Sequence, residues 1–170
     1  MKVTSIQILL SVVASENLHL EQIDVKTTFL HGDLDKGIYM QQSEGFVVLG
    51  KEHMVCNLTG SLYGLKQAPR QWYKKFDSFM NKSGFCKAEK DLCCYFKKYT
   101  DSYVFLVLYV DDMLIAGSSM REINNLKTRL SSTFEMKDLG PAKQILGMKI
   151  SRDRSAGTLI YLRSCTLRRC

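Results

Sequence analysis

Two adjacent carboxylates, Asp111 and Asp112, stand between two apolar runs, Tyr103–Val110 and Met113–Ala116. Both runs favour burial, and uncompensated ionised Asp side chains resist it. The pair therefore requires a cation, a water-exposed turn, or both. A hairpin would present the two side chains at its tip, within reach of a hard divalent ion that prefers oxygen ligands. A third acid, Asp24, closes the alternating segment Leu18–Val25. Set beside the hairpin in one sheet, it would complete three carboxylates at one end. Such a set can hold two Mg2+ ions about 4 Å apart, the arrangement used for in-line phosphoryl transfer. A plainer reading of Val-Asp-Asp alone is that Asp is favoured in turns.

The elements that must position these acids follow from apolar periodicity. A helix is expected over Thr4–Ser15, with Val3, Ile6, Leu10 and Val13 on one face, leading into the half-buried strand Leu18–Val25. Met54–Leu58 reads as a short strand, and Gly60 and Gly64 mark turns. Pro69 suits the first turn of a helix that buries Trp72, Phe76, Phe79 and Met80 and stops at Gly84. Leu92–Tyr99 and Tyr103–Val110 are rich in strand formers, and the second continues past the acidic turn as Met113–Ala116. Ser118-Ser119 precede a helix over Met120–Leu130, with further strands at Gln144–Ser151 and Thr158–Tyr161. The order predicts an α+β fold, with helices on one face of a mainly antiparallel sheet.

The chain's 170 residues suggest one compact domain, and its net charge of +7 suits a polyanionic partner. Solubility alone would also account for that charge. The six cysteines form no C-x-x-C pair, so reduced thiols are expected and no zinc site. His19, His31 and His53 are scattered and read as structural or surface residues. The N-terminal run loosely imitates a signal peptide, but Gln7 and Ser11 interrupt it and an amphipathic helix explains it better. No segment approaches the roughly 18 apolar residues needed to span a bilayer.

Longer motifs carry a specific likeness. Tyr109-Val110-Asp111-Asp112 resembles the catalytic hairpin of reverse transcriptases, and Asp24 with Phe29 resembles the acidic strand motif that precedes it. Asp24–Gly32, Ile38–Phe46, Ser61–Tyr73, Met136–Gly140 and Ile145–Ile150 resemble the version found in copia-type LTR retrotransposons, in order and at near-family spacing. The resemblance implies a palm-like α+β domain over 1–162 with incomplete fingers and no thumb, followed by a divergent tail at 163–170. It also implies RNA-directed DNA polymerase chemistry, extending a primer with dNTPs by means of two Mg2+ or Mn2+ ions. By position, Asp24, Asp111 and Asp112 would be catalytic metal ligands, helped by the Val25 backbone carbonyl. Phe29, Tyr63, Gly64, Lys66 and Gln67 would bind nucleotide, Phe29 against the ribose 2′-OH and Lys66 on phosphate. Leu146, Gly147 and Met148 would form the primer grip. The implied partners are a template–primer of RNA or DNA and dNTP, with no membrane, in an intracellular protein of a cytoplasmic particle or the nucleus, not secreted.

The sequence departs from the family at Gly37, Ser43 and Gly60, where an acid, a proline and a lysine are usual. The basic fingers segment that grips triphosphate is not among the matched motifs, so the expectation is a truncated polymerase of reduced efficiency. The alternative is a non-catalytic transposon remnant that at most binds nucleic acid. Two further readings are another two-metal phosphotransfer enzyme and an ordinary α+β domain whose acids are turn residues.

Overall fold

The structure, a computed structural model, describes residues 3–34 and 36–163. In chain order the elements are α1 (Val3–Ser15), β1 (His19–Val25), a 3-10 turn (Thr28–His31), β2 (Tyr39–Gln41), β3 (Val55–Asn57), α2 (Ala68–Lys82), β4 (Cys86–Ala88) and β5 (Asp91–Lys98). There follow β6 (Tyr103–Tyr109), β7 (Asp112–Gly117), α3 (Met120–Ser131), β8 (Met136–Pro141), β9 (Gln144–Ile145), β10 (Met148–Asp153) and β11 (Thr158–Arg163). The chain falls into two compact units, Met1–Lys26 with Met80–Cys170, and Thr27–Phe79. The tail expected at 163–170 lies, from residue 164 on, outside the described residues.

The first unit is built on a six-stranded sheet in the order β4-β5-β6-β7-β1-β8, antiparallel at every pairing. Strand β1 lies inside this sheet and is buried at almost every position rather than at alternate ones. Both of its faces are therefore covered, and the expected half-buried strand is corrected on that ground. On one face α1 packs Ile6, Leu9, Leu10 and Val13 against Leu20, Val107, Leu114 and Ala116. Val3, expected on that stripe, is half exposed, and Leu9 takes its place. Successive strand residues point to opposite faces. Glu21, next to Leu20, meets Lys127 of α3 at 2.7 Å, and a Cβ on Gly117, next to Ala116, would lie 3.4 Å from Ile123 of α3. Thus α1 and α3 cover opposite faces, and the expected single helical face is also corrected. A strand apolar on both sides needs cover on both.

Local chemistry ends these helices where sequence predicts. Helix α1 stops at Asn17, which adopts φ 48°; the Leu18 N–H donates to the Val13 carbonyl at 3.0 Å and Arg152 Nη2 to the same oxygen at 3.1 Å. Helix α2 ends at Gly84, with φ 78° and a Phe85 N–H bond to the Met80 carbonyl at 3.0 Å. Its residues Trp72, Phe76 and Met80 are buried, while Phe79 is only partly so. Helix α3 buries Ile123, Leu126, Lys127 and Leu130, a cation within an otherwise apolar stripe.

Sequence pattern does not mark strand β8, because Gly140, Pro141 and its charges disguise it. As an edge strand it tolerates all three. Its pairing with β1 shifts between Gln22 and Ile23, leaving Leu139 as the extra residue of a bulge. A smaller sheet, β11-β10-β9, adds Ile145, Met148 and Ile150 to the core around α1.

The second unit holds the β2–β3 hairpin, whose residues are all exposed. Gly32 is required there: a Cβ would fall 2.9 Å from that of Gln71, and its carbonyl accepts from the Ser61 N–H at 3.1 Å. Cys56, Cys86, Cys93 and Cys94 are free thiols. Among the described residues no helix is long and apolar enough to cross a membrane.

Candidate active site

The acidic turn is a two-residue hairpin. Tyr109 pairs with Asp112, leaving Val110 and Asp111 as the connection between β6 and β7. Val110 has φ 54° and Asp111 does not share that sign, the φ pattern of a type II′ turn, where glycine is usual. A β-branched residue in this region costs about 1–2 kcal/mol, so the turn holds strain at the position that aims the two acids.

Strand β1 brings the third acid alongside. Asp24 is the direct register partner of Asp112, and the Val25 N–H donates to the Asp111 carbonyl at 3.0 Å. Burial raises the Asp24 pKa above the usual carboxylate value, and the charges of Asp112 and Asp111 raise it further. Lys137, opposite Asp24 on β8, pulls it back. Oδ1 of Asp111 is buried with no hydrogen-bond partner. Among the described residues no group of three or more acid, histidine or cysteine side chains is placed to hold a metal ion. The donor set is oxygen only, anionic and short of counter-charge, and it includes a buried oxygen without a partner. By donor chemistry, such a set suits a hard divalent cation.

The neighbourhood of the acids includes residues that motif reading did not single out. Gln22 Nε2 donates to Asp112 Oδ1 at 3.2 Å. A cleft of about 570 Å3 beside this pair is lined by Gln22, Asp112, Lys143 and Gln144 together with Leu146 and Gly147. A second cleft, of about 450 Å3, joins Tyr109 to Leu146 and Met148. The three primer-grip candidates thus face clefts that Asp112 and Tyr109 also line. Leu146 and Gly147, at φ 50° and 73°, form the tight turn between β9 and β10. Gln22 was legible by period: it lies two residues before Asp24 and so shares its face. Lys137 carries no such signal, because its edge strand lacks the alternating pattern of a strand.

The remaining candidates belong to the second unit. Phe29 is partly exposed and stacks edge-to-face on Tyr63, with ring centroids 5.0 Å apart. Gly64 turns the chain at φ 90°, Lys66 is exposed and Gln67 is partly buried just before α2. Of the histidines, His19 is structural, its ring nitrogens 3.0 Å from Arg154 Nη1.

The profile of the family described as reverse transcriptase (RNA-dependent DNA polymerase) matches residues 1–164, and the chain belongs to that family. Within it, the similarity is to Pol polyproteins of copia-type retrotransposons. The chain is 59% identical over 159 residues to the retrovirus-related Pol polyprotein from transposon TNT 1-94 of Nicotiana tabacum, covering 93% of this chain and 12% of that protein. It is 36% identical over 151 residues to the Pol polyprotein from transposon RE1 of Arabidopsis thaliana, covering 89% and 10%. A putative transposon Ty5-1 protein of Saccharomyces cerevisiae is 35% identical over 140 residues, covering 82% and 46%. The chain spans about a tenth of the length of the two plant polyproteins it matches. No solved structure matches it.

Proposed function

We propose that the first unit carries the catalytic palm of an RNA-directed DNA polymerase, in which Asp24, Asp111 and Asp112 hold the divalent cations of nucleotidyl transfer. The observation that carries this reading is the register of β1 on β7, which pairs Asp24 with Asp112 one residue from Asp111. Three carboxylates brought together from two distant segments, with the Asp24 pKa raised by burial and then by the charges of Asp112 and Asp111, are costly unless cations offset them. When bound, two Mg2+ or Mn2+ ions would lower the pKa of an attacking primer hydroxyl and stabilise charge on the leaving pyrophosphate.

The chain's own groups supply the rest. Asp24, Asp111 and Asp112 donate carboxylate oxygens, and the Val25 carbonyl assists. Leu146, Gly147 and Met148 line the clefts beside Asp112 and Tyr109 and hold the primer end there. In the second unit, the turn bearing Tyr63, Gly64, Lys66 and Gln67 binds the incoming dNTP, with Lys66 on phosphate. Phe29, held edge-on by Tyr63, excludes a ribose 2′-OH. The surplus of 24 Lys and Arg over 17 Asp and Glu favours a template–primer of RNA or DNA. The site of action we infer is intracellular, in a cytoplasmic particle or the nucleus.

Primer extension with Mg2+ or Mn2+, run beside Asp111→Asn, tests the reading. Extension lost in the variant supports the polymerase; extension by neither protein favours the non-catalytic remnant. A gain of ribonucleotide incorporation in an active Phe29→Ala variant would support the selecting role of that ring.

A further inference from the structure

We propose that Gln22 is a positioning residue for Asp112, fixing the carboxylate that the cation-binding reading above assigns as a ligand. Position 22 is an improbable place for an amide. It lies in the middle of β1 with only 7% of its surface exposed, and its register partner on β7 is the fully buried Leu114. A leucine or valine there would extend the apolar core, whereas a buried amide is destabilising unless it is hydrogen-bonded.

Its surroundings leave the amide one strong partner. On the β8 side the register partner is Gly140, which offers no side chain, and the bulge beside it carries Leu139 to the cleft. The amide instead donates from Nε2 to Asp112 Oδ1 at 3.2 Å. Only the nitrogen end can face a carboxylate, since the carbonyl end would add repulsion, so the bond fixes both groups. A hydrogen bond to an ionised acceptor is stronger than a neutral one. Asp112 also faces Asp24 directly and adjoins Asp111, so like charges push it from two directions. A neutral donor can hold such a carboxylate without cancelling its charge, whereas Lys at this position would neutralise it and Glu would add a further anion. Partners that orient ligands in this way support metal affinity about 10- to 100-fold.

The test uses the full 170-residue chain. In the metal-free protein, the Gln22 side-chain amide protons should give a distinct NMR signal that moves in Asp112→Ala. Gln22→Met keeps the volume and removes the donor. It should weaken Mn2+ binding, followed by electron paramagnetic resonance, about tenfold while leaving the melting temperature without metal unchanged or raised. An amide signal indifferent to Asp112→Ala, or Mn2+ binding by Gln22→Met equal to wild type, overturns the proposal. Asp112→Asn separates the two layers of the argument. If it leaves Mn2+ binding intact, the cation site itself fails and the proposal fails with it. If it abolishes binding and Gln22→Met does not weaken it, only the role of Gln22 fails.

Discussion

Strand β1 carries two acids three residues apart, Glu21 and Asp24, and the fold treats them in opposite ways. Glu21 points to the α3 face, where Lys127 Nζ lies 2.7 Å from it and 2.8 Å from Asp138. Burial alone would lower the Lys127 pKa, but the hydrogen bonds and charges of Asp138 and Glu21 leave it raised. Burial likewise works against Asp138, yet the bonds from Lys127 and the Gly140 N–H, with the Lys127 charge, hold its pKa down. Each group there favours the charge of the other. Asp24 points to the opposite face and meets two like charges instead. The same strand thus contains a satisfied ionic cluster and an unsatisfied one. Only the second would gain from a cation from solution, and this contrast is what supports the cation-binding role proposed for it.

The most disruptive way to break the comparison is Asp111→Asn. Loss of an outer partner of a metal ligand already costs about 10- to 100-fold in affinity or activity, so loss of a ligand should reduce extension by more than that. Stability should remain or rise, because one repelling charge is gone; the checks are primer extension and urea denaturation on the same preparation. Lys127→Met should do the reverse. It leaves Glu21 buried without its cation, the side chains being 9% and 8% exposed in the pair. The expected loss is about 3–5 kcal/mol in urea denaturation, most of it recovered in a Lys127→Met, Glu21→Leu double variant. A loss below about 1 kcal/mol would mean that the cluster is no more than a surface ion pair.

What the residues disclosed, and what they hid, follows from the same contrast. The hairpin at Asp111-Asp112 was legible because charge interrupting two apolar runs leaves few options. The helix ends at Asn17 and Gly84 obey local rules. Strand β8 was not legible, since an edge strand with Gly140 and Pro141 lacks the pattern of a strand and exists because β1 supplies its partner. The second helical face was hidden for a related reason. Glu21 looks solvent-facing in sequence, and Lys127, some hundred residues away, makes its burial on the α3 face tolerable, as Asp112 does for Gln22 on the opposite face. Long-range pairing of polar groups has no periodic signature.

A milder test uses pH. The raised Asp24 pKa means that the folded state holds this proton more tightly than the unfolded one. Its contribution to stability is therefore complete below the ordinary carboxylate pKa and is lost as pH rises through the raised value. Asp138, held low, acts in the other direction: its contribution is present above the ordinary value and is lost as pH falls through the lowered one. Asp24→Asn should flatten the decline on the rising side only, and millimolar Mg2+ should do the same to the wild type. Melting temperatures across the acid range check both. If Mg2+ has no effect on the wild-type profile, the acidic corner is not the place where the cation acts.

The smallest effect concerns the turn itself. Val110 occupies left-handed backbone at φ 54°, a cost of about 1–2 kcal/mol for a β-branched residue. Glycine would remove that cost but adds about 0.5–1 kcal/mol of backbone entropy on folding. Val110→Gly should therefore stabilise the metal-free protein by between 0 and about 1.5 kcal/mol in urea denaturation. If strain in this turn serves to aim Asp111 and Asp112, the same change should lower the rate of extension even as stability rises. A Val110→Gly protein that is both more stable and equally active would show that the turn's strain is incidental, leaving the pairing of Asp24 with Asp112 as the feature that organises the acids.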